Sequence, residues 1–383
     1  MTVTQILLSA IRAQVCGGES VPLDGMQESA YASLYRLSKA HDMAHVVAAE
    51  LDAQDVCASG GEIGQNFSKQ QLLAVFRYEQ QSFELEQICE LFEREHIPHM
   101  PLKGSVIRKY YSEPWMRTSS DIDILVHQAD LERATQALID EQGYSIYLRS
   151  EHDVSMFAPS GVHVELHFDL IEDERANNCS DILRDVWSYA RVAEGSEYRY
   201  GMSDEMFYFY HVAHMAKHME IGGCGIKPFI DTWILEHSVE HDRAARDALL
   251  QKGELLVFAN ACRALSEVWF SSQEHTDITR DFENFVLRGG VYGSVDNRVA
   301  AQQGKQSSRL AYMLSRIIMP YDTLKHQYPV LLKHKWLLPV CQVRRWFRLV
   351  FRAGRLGTSV GELKRSASIS AQDVNVWQTR VPV

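Results

Sequence analysis

Apolar residues recur at helical spacing through much of the N-terminal quarter of the chain. They do so over residues 29–53 and again over 72–92, and a small, polar stretch at 54–66 separates the two. Apolar positions three and four residues apart lie on one face of a helix, which then packs against another element. The pattern therefore predicts an N-terminal helical region over residues 1–95 that serves packing.

The pattern changes in the next part of the chain, where short apolar runs are separated by turn residues. Five runs have the length and composition of strands: 97–102, 122–126, 145–148, 154–158 and 162–168. Helical spacing over 130–142, stopped by Gly143, predicts one helix among them. Pro98 and Pro101 place the first strand at a sheet edge, because proline cannot donate to a neighbouring strand. We therefore predict a small mixed β-sheet core over residues 96–172.

Helical spacing returns after the core. Residues 206–219 and 226–237 each predict a helix, and two or three more follow before residue 300. We therefore predict an α+β fold with helical domains on both sides of the sheet. The predicted regions are an N-terminal helical region (1–95), the core (96–172), a helical substrate- or nucleotide-binding region (173–304) and a basic C-terminal helical region (305–383).

Asp121 and Asp123 are the first candidates for chemistry, because they lie two residues apart at a predicted strand. Side chains at this spacing project from the same face of a strand. Two adjacent carboxylates repel one another unless a cation offsets them, and oxygen ligands suit Mg²⁺. The alternative is a strand end that tips into solvent, where two aspartates cost little.

The strand predicted at 162–168 alternates strictly between apolar and polar residues. Its polar face carries His163, Glu165 and His167, and a hairpin would lay Glu165 beside the two aspartates. Two other interpretations stay open from the alternation alone. The polar face is either solvated, or it forms a zinc site with imidazole ligands.

Lys103-Gly104-Ser105 follows the first predicted strand and comes just before a predicted helix, with Ser105 near its N-cap. The free N–H groups and the positive dipole end of a helix N-terminus suit a phosphate. Gly104 would let a phosphate approach the backbone closely. A plain turn before a helix is the alternative.

A third polar group lies on the helix predicted at 206–219. His211, His214 and His218 share one face of that helix. This face either binds zinc, or lines a nucleotide cleft through His214, Lys217 and His218, or packs against the sheet.

This order of elements resembles that of the polymerase-β-like nucleotidyltransferase superfamily, in which a Gly-Ser element precedes an Asp-x-Asp strand and a third acid lies on a later strand. The chain resembles more closely a bacterial nucleotidyltransferase family with a Leu-Lys-Gly motif. The residues that carry this resemblance are Leu102-Lys103-Gly104, Arg117, Asp121-Ile122-Asp123, Gly143-Tyr144, Glu165 and His167. The resemblance implies a nucleotidyltransferase core and the transfer of a nucleoside monophosphate from an NTP, with ATP expected, to a hydroxyl acceptor. Pyrophosphate would be released.

The resemblance also implies roles for particular residues. Asp121, Asp123 and Glu165 are expected to hold two divalent ions, Mg²⁺ or Mn²⁺, and Glu165 is also expected to help deprotonate the acceptor. The residues expected to bind the nucleotide are Lys103, Gly104, Ser105, Arg117, His167, His214 and Lys217. Their charges and donors suit a triphosphate.

The charge of the chain is unevenly distributed. The formal net charge is −11, but residues 305–383 contain 14 Lys and Arg against 3 Asp and Glu, so that residues 1–304 have a balance of −22. An acidic body makes long nucleic acid an unlikely partner, because phosphate contacts need Lys and Arg. We expect a small molecule, a sugar or a protein as the acceptor. Residues 343–355 group five arginines at helical spacing, which suits internal pairing with the acidic body, an acidic acceptor or RNA, or weak contact with a membrane surface.

The seven cysteines are scattered and never form a C-x-x-C pair, which favours free thiols in a reducing compartment. No apolar run approaches the ~18 residues of a membrane span, and no signal peptide is evident. We therefore expect a cytoplasmic protein. Two other functions stay open: a catalytically degenerate relative that binds nucleotide or a partner, and a zinc hydrolase.

Overall fold

The computed structural model describes residues 1–57, 61–171, 178–220, 222–291 and 334–338. These residues fall into two compact units. One contains residues 1–216 and 225–275 and carries the sheet; the other contains 217–224 and, after residue 275, chiefly one helix. The helix predicted at 343–355 lies outside the described residues.

The N-terminal region is helical, as its apolar spacing predicts. Its helices are α1 (Val3–Val15), α2 (Glu28–Ala40), α3 (Ala44–Ala53) and α4 (Gly61–Arg94). The single pattern at 29–53 is two helices, because Asp42 has a φ of 55°, which ends α2 before α3 begins. The apolar positions of α4 divide along its length: Phe76 and Phe83 are exposed, whereas Ile88 and Phe92 are fully buried. The second half of α4 therefore packs against the sheet, while Phe67 is a fully buried residue of the first half.

Five strands form the central sheet: β1 (His99–Pro101), β2 (Ile122–Val126), β3 (Ser145–Arg149), β4 (Asp153–Phe157) and β5 (His163–His167). The strand order is β1-β2-β5-β4-β3, so β1 lies at an edge, as its prolines predict. Strands β2 and β5 are parallel, and the other neighbours are antiparallel. The α+β fold with a small mixed sheet is thereby confirmed.

Two helices separate the early strands. The helix α5 (Gly104–Ile107) has four residues and is followed by a 3₁₀ turn at Arg108–Tyr110. The helix α6 (Leu131–Gln142) ends at Gly143, whose φ of 71° is left-handed, as the sequence predicts.

The hydrophobic core covers one face of the sheet. Ile122, Ile124 and Leu166 are completely buried there against the second half of α4 and against α6. Because successive residues of a strand point to opposite faces, the residues between them lie on the other face. Because Ile122, Ile124 and Leu166 face the core, Asp123 and Glu165 project from the opposite face.

The chain after the sheet is mainly helical. The described helices are α7 (Asn178–Arg184), α8 (Asp204–Glu220), α9 (Lys227–His237), α10 (Arg243–Lys252), α11 (Leu256–Phe270) and α12 (Asp277–Gly289). A short hairpin of β6 (Ala190–Val192) and β7 (Tyr200–Met202) lies between α7 and α8 and lacks a clear pattern in the sequence. Within the described ranges, none of the helices is both long and apolar enough to cross a membrane.

Candidate active site

Three acidic residues meet on the sheet face opposite the hydrophobic core. Asp123 and Glu165 are partners in the parallel register of β2 and β5. Asp121 lies two residues before Asp123, so it projects from the same face. The residues predicted from the Asp-x-Asp spacing and from the alternation of β5 are therefore brought together by one pair of neighbouring strands.

Side-chain donors on this face form two overlapping groups. One contains Asp121, His163 and Glu165, and the other contains Asp123, Glu165 and His167. Within each group, one carboxylate oxygen or ring nitrogen of every residue lies within 4.8 Å of the others. Glu165 belongs to both groups, so a single carboxylate joins two adjacent donor sets.

Asp123 is the most buried of the three acids and has two cationic neighbours. Lys103 Nζ donates to its Oδ1 over 2.7 Å, and His167 Nε2 donates to the same oxygen over 2.9 Å. Burial alone would raise the pKa of Asp123, but the Lys103 charge and the His167 hydrogen bond outweigh it and lower that pKa. Asp123 is thus held as a carboxylate. Its second oxygen, Oδ2, forms no hydrogen bond with the described residues.

The pKa values of Asp121, Glu165 and His167 are shifted in different directions by their neighbours. Burial and the neighbouring Asp123 charge raise the pKa of Asp121. A hydrogen bond from His167 lowers the pKa of Glu165, whose carboxylate lies 3.4 Å from His167 Nε2. Burial opposes the charged form of His167, but its bonds to the two acids raise its pKa to about 9. The imidazole of His167 therefore carries a proton at neutral pH.

The donor set on this face fits a hard divalent cation. Three carboxylates face two cations, Lys103 and His167, so one negative charge is left without compensation when all three acids are ionised. Carboxylate oxygens are the ligands that Mg²⁺ and Mn²⁺ prefer. Asp123 Oδ2, Asp121 and Glu165 are the oxygens that remain for such an ion. A divalent ion is thus compatible with the residues present.

Lys103 reaches Asp123 from a strained turn. Its φ of 47° and ψ of −123° are the values of the first central residue of a type II′ turn, a position that glycine usually occupies. Ser105 N donates to Leu102 O over 3.2 Å and closes this turn. Non-glycine residues in such a conformation are uncommon and cluster at functional sites. The turn directs the Lys103 ammonium to the acid cluster.

Gly104 is required by close packing. A Cβ at this position would lie 2.2 Å from Ser119 Oγ and 3.4 Å from Arg117 Nη1. Arg108 Nε donates to Gly104 O over 3.0 Å and holds the backbone from the other side. Any side chain at residue 104 would therefore displace Ser119.

The structure corrects the helix predicted to begin near Ser105. The helix α5 begins at Gly104, has only four residues, and its N-cap Lys103 makes no side-chain cap bond. A 3₁₀ turn at Arg108–Tyr110 follows directly, so the α-helical geometry does not continue through the predicted range. Phosphate binding by Gly104 and the half-buried Ser105 stays a prediction.

Arg117 lies in a buried ion pair. Its guanidinium donates to both carboxylate oxygens of Asp231 on α9, with distances of 2.8 and 3.0 Å from Nε. Tyr111 Oη donates to Asp231 as well, over 2.6 Å, and Arg117 Nη1 donates to Thr118 O. Contact between Arg117 and a triphosphate stays a prediction, and it would require part of this network to open.

Tyr210 on α8 is a site residue that the sequence analysis missed. Its side chain is buried, and burial together with the nearby acids raises its pKa, although Lys103 opposes this shift. His214 lies one turn later on α8, with its ring centroid 6.3 Å from that of Tyr210. The sequence does contain a signal for Tyr210: it lies four residues before His214, and side chains at that spacing share one face of a helix.

The other residues of α8 that were predicted to form a site have different surroundings. His211 Nε2 lies 3.1 Å from Pro228 O and 3.0 Å from Thr232 Oγ1, so its ring is bound to α9. Lys217 lies on the last turn of α8 and belongs to the second compact unit. The predicted zinc face of His211, His214 and His218 is not among the donor groups found in the described part of the chain.

The chain was also compared with known proteins and protein families. Residues 27–271 match the model of a family described as uncharacterised nucleotidyltransferase. This range is more than half of the chain and includes the whole central sheet, α8 and α9. A search among curated proteins and a search among solved structures each gave no match.

Proposed function

Because the chain belongs to the uncharacterised nucleotidyltransferase family, we propose that it moves a nucleoside monophosphate from an NTP, expected to be ATP, to a hydroxyl acceptor. A bond forms between the acceptor oxygen and the α-phosphorus, and the bond from the α-phosphorus to the bridging oxygen breaks. Pyrophosphate leaves, and the hydroxyl proton passes to a base. The observation that carries the proposal is the parallel register that sets Glu165 beside Asp123, with Asp121 on the same face.

The three acids would hold Mg²⁺ or Mn²⁺. Bound ions of this kind offset the charge of the triphosphate and stabilise the attacking and leaving oxygens. Glu165 is half-buried and is shared by both donor groups, so its carboxylate can also accept the acceptor's proton. His167 keeps Glu165 and Asp123 ionised by donating to both.

The turn at residues 102–105 would contact the phosphates. Lys103 is the cation of this turn, its ammonium already lies 2.7 Å from Asp123, and it would bridge the acids and the triphosphate. Gly104 and Ser105 would supply backbone and hydroxyl donors, and His214 would contribute from α8. Arg117 would act on the same turn, since its Nη1 packs against Gly104.

The acceptor is proposed to be a small molecule, a sugar or a protein hydroxyl. Residues 1–304, which contain the sheet and the acids, have a charge balance of −22. Long nucleic acid binds through many Lys and Arg contacts to phosphate, and such a body would repel it. A compact acceptor needs far fewer such contacts.

The proposal is tested by incubating the purified protein with each of four α-labelled NTPs, Mg²⁺ or Mn²⁺, and cell extract. Label should move from one NTP to an acceptor, and Asp123→Asn should abolish that transfer. Asp140→Asn is the matched control, because Asp140 is an exposed aspartate on α6, away from the acid cluster. Transfer that persists in Asp123→Asn would contradict the proposed site.

One observation favours a second function, in which the chain binds nucleotide without turning it over. Lys103 and His167 both bind Asp123 Oδ1. If these two contacts persist with nucleotide bound, the charge of Asp123 is neutralised and it is a weaker metal ligand. The two functions differ in one readout. A degenerate relative binds NTP but releases no pyrophosphate with any acceptor pool, whereas the proposed enzyme releases pyrophosphate together with label transfer.

A further inference from the structure

His163 is the member of the acid cluster to which the proposed reaction gives no role. It lies two residues before Glu165 on the same face of β5, and its side chain is half-buried. A ring nitrogen of His163 lies within 4.8 Å of a carboxylate oxygen of Asp121 and one of Glu165. The cluster therefore offers nitrogen as well as oxygen at the Asp121 end.

The two histidines of β5 have different surroundings. His167 Nε2 lies 2.9 Å from Asp123 and 3.4 Å from Glu165, so that this nitrogen is a donor to both acids. His163 forms no ion pair with the described acids. Its Nε2 lies 2.6 Å from the hydroxyl of Ser155 on the neighbouring strand β4, which fixes the orientation of the ring. Among the described residues, His163 is thus the histidine of this strand whose ring is not paired with an acid.

A mixed set of two carboxylates and one imidazole selects among divalent ions. Mg²⁺ prefers oxygen ligands and retains its waters, whereas imidazole binds first-row transition metals well. The second donor group contains Asp123, Glu165 and His167, and its imidazole nitrogen is already bonded to the two acids of that group. The two ends of the cluster therefore differ in whether their imidazole nitrogen is already bonded to an acid.

We propose that Asp121, His163 and Glu165 form a metal position selective for a first-row transition-metal ion such as Mn²⁺ over Mg²⁺. The proposal deepens the proposed function, since it rests on a metal requirement of the same face, but it concerns binding and not transfer. In this arrangement the Asp123 end takes either ion, while the His163 end discriminates between them. The cation preference of the enzyme would then be determined by one imidazole.

The test is Mn²⁺ titration of the full-length protein, followed by electron paramagnetic resonance. Bound Mn²⁺ should show ¹⁴N modulation from one imidazole in pulsed spectra, and His163→Asn should remove it. The same substitution should weaken Mn²⁺ binding about tenfold or more, the range for losing a group that supports a metal site. Competition with Mg²⁺ should show that Mg²⁺ affinity changes much less.

Two further variants make the outcome decisive. His163→Asp replaces nitrogen by oxygen, so it should retain Mg²⁺ binding and lower the ratio of Mn²⁺ to Mg²⁺ affinity. His237→Asn is the control, because His237 lies on α9 against Trp233 and Glu267, away from the cluster, and should leave the spectra unchanged. Circular dichroism checks that each variant is folded.

The proposal is overturned if wild-type protein binds no Mn²⁺, or if the ¹⁴N modulation survives in both His163 variants. Equal loss of Mg²⁺ and Mn²⁺ affinity in the folded His163→Asp variant would also overturn it. These failures are distinct from failure of the proposed function, which is read from label transfer. An enzyme that transfers label with Mg²⁺ and shows no nitrogen coupling would keep the function and lose the selective position.

Discussion

The two faces of the central sheet are built in different ways. One face consists of residues such as Ile122, Ile124 and Leu166, which are all apolar and completely buried. The other carries acids and histidines, and groups from a turn, from the same strands and from α8 lie near them. The first face depends on volume and packing alone. The second depends on charges that each need a specific partner, so a single substitution there changes chemistry before it changes the fold.

The polar face should show the largest effect on activity. Asp123→Asn removes a charge that Lys103 and His167 both contact, and with it a proposed metal ligand. We expect transfer to fall on the order of a hundredfold or more, consistent with the sensitivity of metal sites to their ligands. The measurement is the initial rate of labelled product with saturating NTP. An unchanged rate in folded Asp123→Asn would mean that the polar face is not catalytic.

The apolar face should show the largest effect on stability. Leu166→Ala removes a fully buried side chain from the core, and such substitutions lower the free energy of unfolding by about 2–5 kcal/mol. Urea unfolding of the variant and the wild type measures the difference. NTP affinity per folded molecule should change little. A large loss of affinity in the folded fraction would show that the two faces are not independent.

A substitution in the turn at residues 102–105 should have a moderate effect on both activity and stability. Gly104→Ala places a Cβ within 2.2 Å of Ser119 Oγ, which must rotate away from Arg108. Overpacking of this kind costs about 1–3 kcal/mol, and we expect KM for NTP to rise more than kcat falls. Ser119→Ala in the same chain should relieve part of the effect. No recovery in the double variant would contradict the packing explanation.

The smallest expected effect comes from Asp42, which lies between α2 and α3 and is hydrogen-bonded to Thr118 in the loop before β2. Asp42 accepts bonds from Lys227 Nζ, over 2.5 Å, and from Thr118 Oγ1, over 2.8 Å. Burial raises the pKa of Asp42, but the Lys227 charge and these bonds lower it to about 2. Since the folded pKa lies below the unfolded value of 3.8, its stabilisation is complete above pH 4 and is lost as pH falls towards 2.

The half-exposed Asp42 is screened by solvent, so its contribution should be under about 1 kcal/mol. Urea unfolding of wild type and Asp42→Asn between pH 6 and pH 2.5 measures it. The two proteins should differ most near neutral pH and converge at the acid end. A difference that grows as the pH falls would have the wrong sign.

The spacing of apolar and polar residues along the chain explains which parts of the fold and site could be predicted from the sequence. The Asp-x-Asp spacing before and in β2 and the alternation in β5 predict which face each of these residues occupies, and the structure brings Asp121, Asp123 and Glu165 together on that face. The catalytic roles of these residues stay a prediction. Helices such as α6 also follow from apolar spacing, because they bury one face, whereas Ala44–Leu51 of α3 are all buried.

Contacts between distant parts of the chain could not be foreseen in this way. Arg117 and Asp231 are 114 residues apart, and no periodicity links them. Tyr210 joins the site only because α8 packs near the Lys103 turn. Each of these features is determined by tertiary packing, which overrides local propensity.

The central claim is that three acids from two neighbouring strands hold divalent ions on the polar face. A crystal structure of the protein with Mn²⁺ and a non-hydrolysable NTP analogue tests it most directly, through the anomalous signal of the metal. We predict anomalous peaks in contact with the carboxylates of Asp121, Asp123 and Glu165, with the α-phosphate beside them. Metal peaks away from this face would contradict the account. So would a structure in which nucleotide is bound elsewhere and Asp123 contacts only Lys103 and His167, with no metal ion.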